Sequence, residues 1–231
     1  MKAMILAAGR GERMRPLTDK KPKPLLEVGG KPLIYWHIEK LVKAGFKEVV
    51  VNNAYLGGQI IETLGDGSKF GIKIFHSSEK NGALETAGGI NQALDILGTD
   101  SFLLINGDVW TNWNFSNAYQ HQHIKNSCHL IFVENPSQHP NGDFVLYNNL
   151  VQLPDNTKRT LTYSGIGIYS PCMFKNIKKG EHAKLKPLLE DYIDKSLVTG
   201  EKHNGLWVDV GTPERLKELD LFLNKKDSRL V

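Results

Sequence analysis

The stretch Ala3-Met4-Ile5-Leu6-Ala7-Ala8-Gly9-Arg10-Gly11-Glu12-Arg13-Met14-Arg15-Pro16 decides how this chain is read. An apolar run of strand length stops at a glycine and gives way to a cationic loop. Such a run, bounded by turn residues, suits a strand buried on both faces of a parallel sheet. It is too short for the apolar core of a secretion signal. Further along, Val49-Val50-Val51, Ile72–Phe75 and Phe102–Ile105 repeat the strand signature. Between them lie helical patterns. Ile34, Ile38, Leu41 and Val42 mark one inner face, with Gly45 as a stop, residues 57–64 give a short helix, and Ile90, Ala93, Leu94 and Leu97 predict a helix from Glu85 to Leu97. Parallel strands need helical crossovers, so the alternation predicts a doubly wound α/β sheet.

Beyond residue 127 the pattern loosens. Strands are expected at His129–Val133, Thr160–Tyr169 and Leu206–Val210, and a helix at Leu185–Leu197. Thr212-Pro213-Glu214 supplies a cap, a first-turn proline and a first-turn acid for a last helix. Turn-rich stretches at Pro136–Asp143 and Pro154–Lys158 suggest that the sheet becomes mixed there, with a small lid-like subdomain inserted. No repeat or linker interrupts the 231 residues, and we expect one domain, 1–231.

Charge is localised. Six of the 29 Lys and Arg lie between residues 10 and 23, against two of the 25 Asp and Glu, so the rest of the chain carries 23 of each. None of those residues is aromatic. A nucleic-acid binder spreads cations over a face and interleaves stacking rings; this distribution fits a compact anionic ligand, and no nucleic-acid partner is expected. No run of about 18 apolar residues exists for a membrane span. Cys128 and Cys172 lack metal or redox spacing, which points to reduced thiols and a cytoplasmic location. His121 and His123, two residues apart, would fall on different helix faces and read as surface histidines. A monomer or weak dimer is expected.

The loop after the first strand sits where open α/β sheets bind ligands. Gly9 and Gly11 free the backbone to turn and present N–H groups to an anion, and Arg13 offers a two-pronged donor. The dinucleotide fingerprint fails, because position 14 is methionine, and no Gly-Lys-Ser/Thr makes a P-loop. Yet Leu6-Ala7-Ala8-Gly9-x-Gly11-x-Arg13-Met14-x-Pro16-Leu17-Thr18, then Pro22-Lys23-Pro24-Leu25, resembles the signature of the sugar-1-phosphate nucleotidyltransferases. Leu84-Glu85-Thr86-Ala87-Gly88-Gly89, Asn106-Gly107-Asp108-Val109-Trp110, Ser164–Tyr169 and Trp207–Pro213 extend the likeness along the chain.

The resemblance implies a Rossmann-like fold with a mixed, mostly parallel central sheet flanked by helices. It also implies a reaction: a sugar-1-phosphate attacks the α-phosphorus of a nucleoside triphosphate and pyrophosphate leaves. Leu84-Glu85-Thr86 is similar to the uridylyl-transferring members, so UTP and N-acetylmuramic acid 1-phosphate, in cell-wall recycling, are the expected substrates. Thymidylyl or uridylyl transfer to glucose-1-phosphate, guanylyl transfer to mannose-1-phosphate, and a non-catalytic nucleotide-sugar sensor stand as alternatives. By the same likeness Ala8, Gly9, Gly11, Glu12 and Arg13 cradle the triphosphate, with Arg13 on its β- and γ-phosphates. Lys23 takes the α-phosphate and the sugar phosphate, and Glu85 and Gly88 lie at the base. Asn106, Gly142, Asp143 and Gly165 face the sugar, and Asp108 and Asp209 hold Mg2+, which accepts one or two protein carboxylates. Arg15 is open between pyrophosphate and water, and Lys20 and Lys21 read as a solvated rim. One departure stands out. Where many hexose-phosphate members carry Glu-Lys-Pro, this chain has Asp155-Asn156-Thr157-Lys158-Arg159, which suits an N-acetylated or carboxylated sugar or a plain surface loop. With the sequence ending at Val231, the β-helical domain of longer relatives is not expected here.

Overall fold

The computed structural model describes residues 1–80, 82–155 and 157–227. In chain order the strands are β1 (Ala3–Leu6), β2 (Glu27–Val28), β3 (Lys31–Pro32), β4 (Glu48–Asn53), β5 (Lys73–Ser78), β6 (Phe102–Asn106), β7 (Val109–Thr111), β8 (Cys128–Val133), β9 (Phe144–Tyr147), β10 (Leu150–Gln152), β11 (Thr160–Tyr169), β12 (Val198–Lys202) and β13 (Trp207–Asp209). The helices are α1 (Leu33–Lys43), α2 (Gly57–Leu64), α3 (Glu85–Leu97), α4 (Leu185–Asp194) and α5 (Pro213–Asp227). Nine strands form the main sheet, in the order β5-β4-β1-β6-β11-β8-β12-β10-β9.

The first half of that sheet is parallel, as the alternation of strands and helices requires. Both faces are covered. Ala3, Ile5, Val49, Val51, Leu103 and Ile105 enter one core with Ile34, Ile38 and Leu41 of α1. Met4, Val50, Phe102 and Leu104 enter the other with Ala87, Ile90, Ala93 and Leu97 of α3. Two buried faces explain why these strands read as continuous apolar runs rather than alternating ones. A third small core, of Val28, Leu33, Trp110, Val210, Leu219 and Leu223, seats α5.

Beyond β6 the parallel arrangement gives way. β11 runs antiparallel to both β6 and β8, while β8 and β12 pair in parallel again, so the sheet is mixed as expected. The inserted segment expected as a lid takes the form of the β9–β10 hairpin, and this hairpin is continuous with the sheet. β10 pairs with β12, and β9 returns to pair with the start of β11. The strands β9, β10 and β12 were not among the sequence expectations. Asn148 and Asn149 turn the hairpin at φ 49° and 62°, and an asparagine pair is a known signal for a tight turn with two positive φ values. The helix expected to reach Leu197 ends at Asp194, with Ser196 in the left-handed region at φ 58°. Among the described residues no helix is long and apolar enough to cross a membrane.

Candidate active site

The carboxyl ends of β1, β4, β5 and β6 open into a cleft of about 450 Å³ lined by Ala8, Gly9, Gly11, Glu12, Arg13, Lys23, Asn52, Glu79, Glu85, Asn106 and Asp108, among others. A second lobe of about 250 Å³ shares Arg13, Asn106 and Asp108 with the first and adds Gly165 and Asp209. Residues that lie 196 positions apart in the chain therefore face one space.

The loop after β1 is held from behind. The Ala7 N–H donates to Asn52 Oδ1 at 2.7 Å, and Met14 is fully buried. Gly11 sits at φ +69°, where the Thr18 hydroxyl donates to its carbonyl at 2.8 Å and a Cβ would come within 3.0 Å of Thr18 Cγ2. The fold requires glycine there. Gly9 differs: a Cβ on it would meet nothing within 4 Å, so its bareness serves the open cleft and not the packing.

The cationic segment sorts itself by partner. Arg10 lies over the Tyr55 ring at 3.7 Å and pairs with Glu12 and Asp19. Arg15 pairs with Asp19 at 2.8 Å and does not line the cleft, which resolves its open assignment toward the surface. Lys20 and Lys21 are exposed, Lys21 beside Glu27. Arg13 is exposed, borders both lobes and has no ion-pair partner among the described residues. Lys23 is 8 % exposed and its Nζ donates to Asp108 Oδ2 at 2.7 Å. A lysine this buried needs an anionic partner to offset the loss of water, and here that partner lies at the junction of the lobes.

Asp209 reaches the same junction through a short ladder. β13 pairs antiparallel with β7, with Asp209 opposite Val109, and the Val210 N–H donates to the Asp108 carbonyl. Arg215 Nη1 donates to Asp209 Oδ2 at 2.6 Å. Each aspartate thus has one oxygen held by a cationic side chain. Two such carboxylates bordering one cleft form a hard-oxygen donor set of the kind that a divalent ion uses together with phosphates and water.

The second lobe is shaped by an irregularity in β11, whose register with β8 shifts between Tyr163 and Ile166. Gly165 lies in that shift at φ +77°, and a Cβ on it would come within 2.6 Å of the Asn106 amide. Ser164 Oγ is buried there with no hydrogen-bond partner among the described residues. Gly142 and Asp143 do not line either lobe. Asp143 accepts the Tyr163 N–H at 2.9 Å and meets His139 Nε2 at 3.2 Å, while Gly142 fits against Asn135 and Thr160. Their place is behind the wall, holding the 136–143 loop that brings Gln138 and His139 to the lobe. The 155–159 loop also stays outside. Asp155 caps Thr157, Lys158 meets Gln152 and Arg159 pairs with Glu134; Asn156 lies outside the described residues.

At the far end of the first lobe, buried Glu79 accepts the Asn52 amide and the Leu84 N–H, each at 2.7 Å. Burial raises its carboxyl above the usual range, and those two hydrogen bonds pull it partly back. Glu85 opens α3 in the left-handed region, at φ 63°, a conformation that costs a non-glycine residue about 1 kcal/mol or more. Gly88 is a correction. It does not line the cleft: its N–H, with that of Ala87, donates to the Ala183 carbonyl, and a Cβ would strike the Glu181 carbonyl at 2.3 Å. Its smallness serves close packing against residues 181–183. Asn52, Glu79 and Arg215 were not singled out in the sequence, and Ser164 entered only as the first residue of the Ser164–Tyr169 likeness. Only the asparagine pair ending the Val49–Val51 run offered a hint.

His121 also departs from expectation. It is half-buried and stacks on His129, with ring centroids 3.6 Å apart; His123 is exposed as expected.

The model of the nucleotidyl transferase family matches residues 2–226. An N-acetylmuramate alpha-1-phosphate uridylyltransferase of Neisseria meningitidis is 55 % identical over 94 % of this chain and 96 % of its own length. The catalytic subunit beta of a Danio rerio mannose-1-phosphate guanylyltransferase is 31 % identical over 93 % of this chain, which spans only 62 % of that protein. In three dimensions a putative glucose-1-phosphate thymidylyltransferase of Bacillus anthracis superimposes with TM-score 0.85 at 22 % identity, over 97 % of this chain and 95 % of that one.

Proposed function

The chain belongs to the nucleotidyl transferase family, and we propose that it transfers a uridylyl group from UTP to N-acetylmuramic acid 1-phosphate, as the name of its 55 % identical relative describes. A phosphate oxygen of the sugar-1-phosphate forms a bond to the α-phosphorus of UTP. The bond from that phosphorus to the bridging oxygen breaks, and pyrophosphate leaves with the electron pair. No proton has to be removed from the nucleophile, so catalysis rests on positioning and charge. The observation that carries the reading is buried Lys23, placed with Asp108 where the two lobes meet.

Two anions must approach at that junction, and Lys23 offsets their repulsion. Arg13, free of any ion-pair partner among the described residues, holds the departing β- and γ-phosphates. Ala8, Gly9, Gly11 and Glu12 wrap the triphosphate with backbone. The segment from Asn52 through Glu79 to Glu85 positions the base, and Asn106, Ser164 and Gly165 meet the sugar. Asp108 and Asp209 would hold a divalent ion, Mg2+ in this reading, which supplies charge neutralisation at the phosphates when bound. Arg215 holds the Asp209 carboxylate toward the cleft. Both lobes are lined by residues of one chain, which supports a monomer or weak dimer. Two free cysteines support a reducing compartment, the cytoplasm, with peptidoglycan recycling as the setting.

A pyrophosphate-release panel tests this reading. UTP, dTTP, GTP and CTP are each crossed with the 1-phosphates of N-acetylmuramic acid, N-acetylglucosamine, glucose and mannose, with Mg2+. The pair of UTP and N-acetylmuramic acid 1-phosphate should give the highest kcat/KM. A higher value for GTP with mannose-1-phosphate would replace the substrate assignment with that of the guanylyl-transferring relatives.

A further inference from the structure

Away from the cleft, three metal-ligating side chains converge from three elements. His121 closes the 3-10 turn Phe115–His121, His129 lies in β8, and Glu201 lies in β12. Their ligand atoms all lie within 4.8 Å of one another. None of the three lines either lobe of the active-site cleft. We propose that His121, His129 and Glu201 bind one transition-metal ion of the zinc class, at a site separate from the Asp108–Asp209 pair.

The hydrogen bonding around His129 carries the argument furthest. Its Nδ1 lies 2.9 Å from the Thr199 hydroxyl, and that hydroxyl is directed at the Cys128 carbonyl at 3.5 Å. In either tautomer Thr199 satisfies Nδ1 and leaves the other ring nitrogen, Nε2, to find a partner of its own. His129 is 5 % exposed, and Nε2 has no hydrogen-bond partner among the described residues. It lies 3.9 Å from Glu201 Oε2, too far for a hydrogen bond. A buried polar atom left without a partner is costly, and a cation between deprotonated Nε2 and the carboxylate would satisfy both.

The surroundings have the form that metal ligands need. A ligating histidine commonly donates its second ring N–H to a fixed partner, and a ligating carboxylate is itself hydrogen-bonded. Thr199 does the first for His129, and Trp113 Nε1 does the second by donating to Glu201 Oε1 at 2.9 Å. Two imidazole nitrogens and one carboxylate oxygen suit zinc, with water as a fourth ligand, better than magnesium, which prefers oxygen. Tetrahedral zinc with bonds of about 2.1 Å places its ligands about 3.4 Å apart. The His121 ring lies face to face with that of His129, with 14° between their planes, so coordination by both in their ring planes requires the half-buried His121 to turn out of the stack and the partly exposed Glu201 to rotate its side chain. Such an ion would tie the 115–121 turn to β8 and β12. Through Trp113, whose backbone N–H donates to Thr111 Oγ1, it would also brace β7, the strand that follows Asp108.

The test uses the full chain stripped with a chelator and titrated with ZnCl2 against a chromophoric competitor, in millimolar Mg2+. One tightly bound equivalent is expected, and zinc at 100 times its dissociation constant should raise Tm by roughly 5–10 °C. Glu201→Gln keeps an acceptor for Trp113 and His121→Ala removes a half-buried ring, so both variants should fold. Each should weaken zinc binding at least about 10-fold and lose the Tm rise. Absence of a tight equivalent in the parent protein would overturn the proposal, as would undiminished binding in both variants, which would assign the zinc to other histidines.

Discussion

The two lobes of the cleft are built by different means. The first is made largely of backbone and buried polar pairs at the ends of parallel strands: Asn52 holds the Ala7 amide, and Glu79 holds both Asn52 and the Leu84 amide. The second is made of side chains displayed by an antiparallel strand at a register shift, backed by a loop pinned through Asp143. The first lobe is thus fixed by interactions that few substitutions leave intact. The second takes part of its lining, Gln138 and His139, from a loop outside the sheet. In the proposed function the first lobe takes the nucleotide and the second the acceptor, and the names of the relatives differ in both the nucleotidyl group and the sugar phosphate. Lys23 and Asp108 stand where the halves join, so the largest effects belong there.

Lys23→Ala should lower kcat about 100- to 1000-fold, the cost of losing one preorganised charged donor. It leaves Asp108 without its cation and the two phosphates without theirs. Steady-state kinetics with UTP and N-acetylmuramic acid 1-phosphate check it, and a change under about twofold would separate Lys23 from both lobes. Asp209→Asn should also remove most activity, and raised Mg2+ should restore part of it. Equal loss at all Mg2+ concentrations would assign Asp209 to holding Arg215 alone.

Gly165→Ala probes the second lobe by itself. The new Cβ meets Asn106 at 2.6 Å and the residue must keep φ +77°, so a cost of about 1–3 kcal/mol is expected. KM for the sugar phosphate should rise roughly 10-fold, the kinetic equivalent of 1.4 kcal/mol, with KM for UTP nearly unchanged. A matched rise in both would mean that the lobes are not separable.

Glu79→Gln probes the first lobe. Glutamine has one acceptor where the carboxylate uses two, so one buried donor is orphaned at about 1–3 kcal/mol. KM for UTP should rise and that for the sugar phosphate should not. The pH dependence follows from the raised carboxyl. A group with a raised folded pKa contributes stability that is fully present below its ordinary value and lost as pH rises through the raised one. The parent protein should therefore gain on the variant as pH falls from neutrality toward the usual glutamate range. Urea midpoints across that range check this, and a constant gap would mean that Glu79 titrates normally.

The same division governs what could be read from sequence. Strands buried on both faces announce themselves locally, and β1, β4 and β6 were legible for that reason. So were the glycine loop and the cationic cluster, because their chemistry is contiguous. Gly11 could be seen as a turn, but not that Gly9 differs from it in facing open space. The meeting of Lys23 with Asp108, and of Asp108 with Asp209, has no local spacing; the resemblance supplied the residues and the sheet supplies the contact. Asn52 and Glu79 were missed because a buried hydrogen-bonded pair has no periodicity. Gly88 misled because one small residue serves ligand approach and helix packing equally well. His121 misled because its partner lies in another strand and not on its own turn.

The smallest effect is expected at Arg15, and it tests whether charge in the loop matters by place or by amount. Arg13 and Arg15 are two residues apart, carry the same group and are both exposed. Arg15 spends its guanidinium on Asp19 at 2.8 Å, outside the cleft. Exposed pairs of this kind are worth about 0–1 kcal/mol and are screened by salt. Arg15→Ala should therefore leave kcat/KM within about twofold and Tm within 1–3 °C. Arg13→Ala should instead raise KM for UTP and lower kcat, because its charge is uncompensated and borders both lobes. Steady-state kinetics of the two variants at low and moderate salt decide the matter. Equal losses that fade together with salt would mean that the loop acts through its total charge, and the assignment of Arg13 to the leaving phosphates would fall.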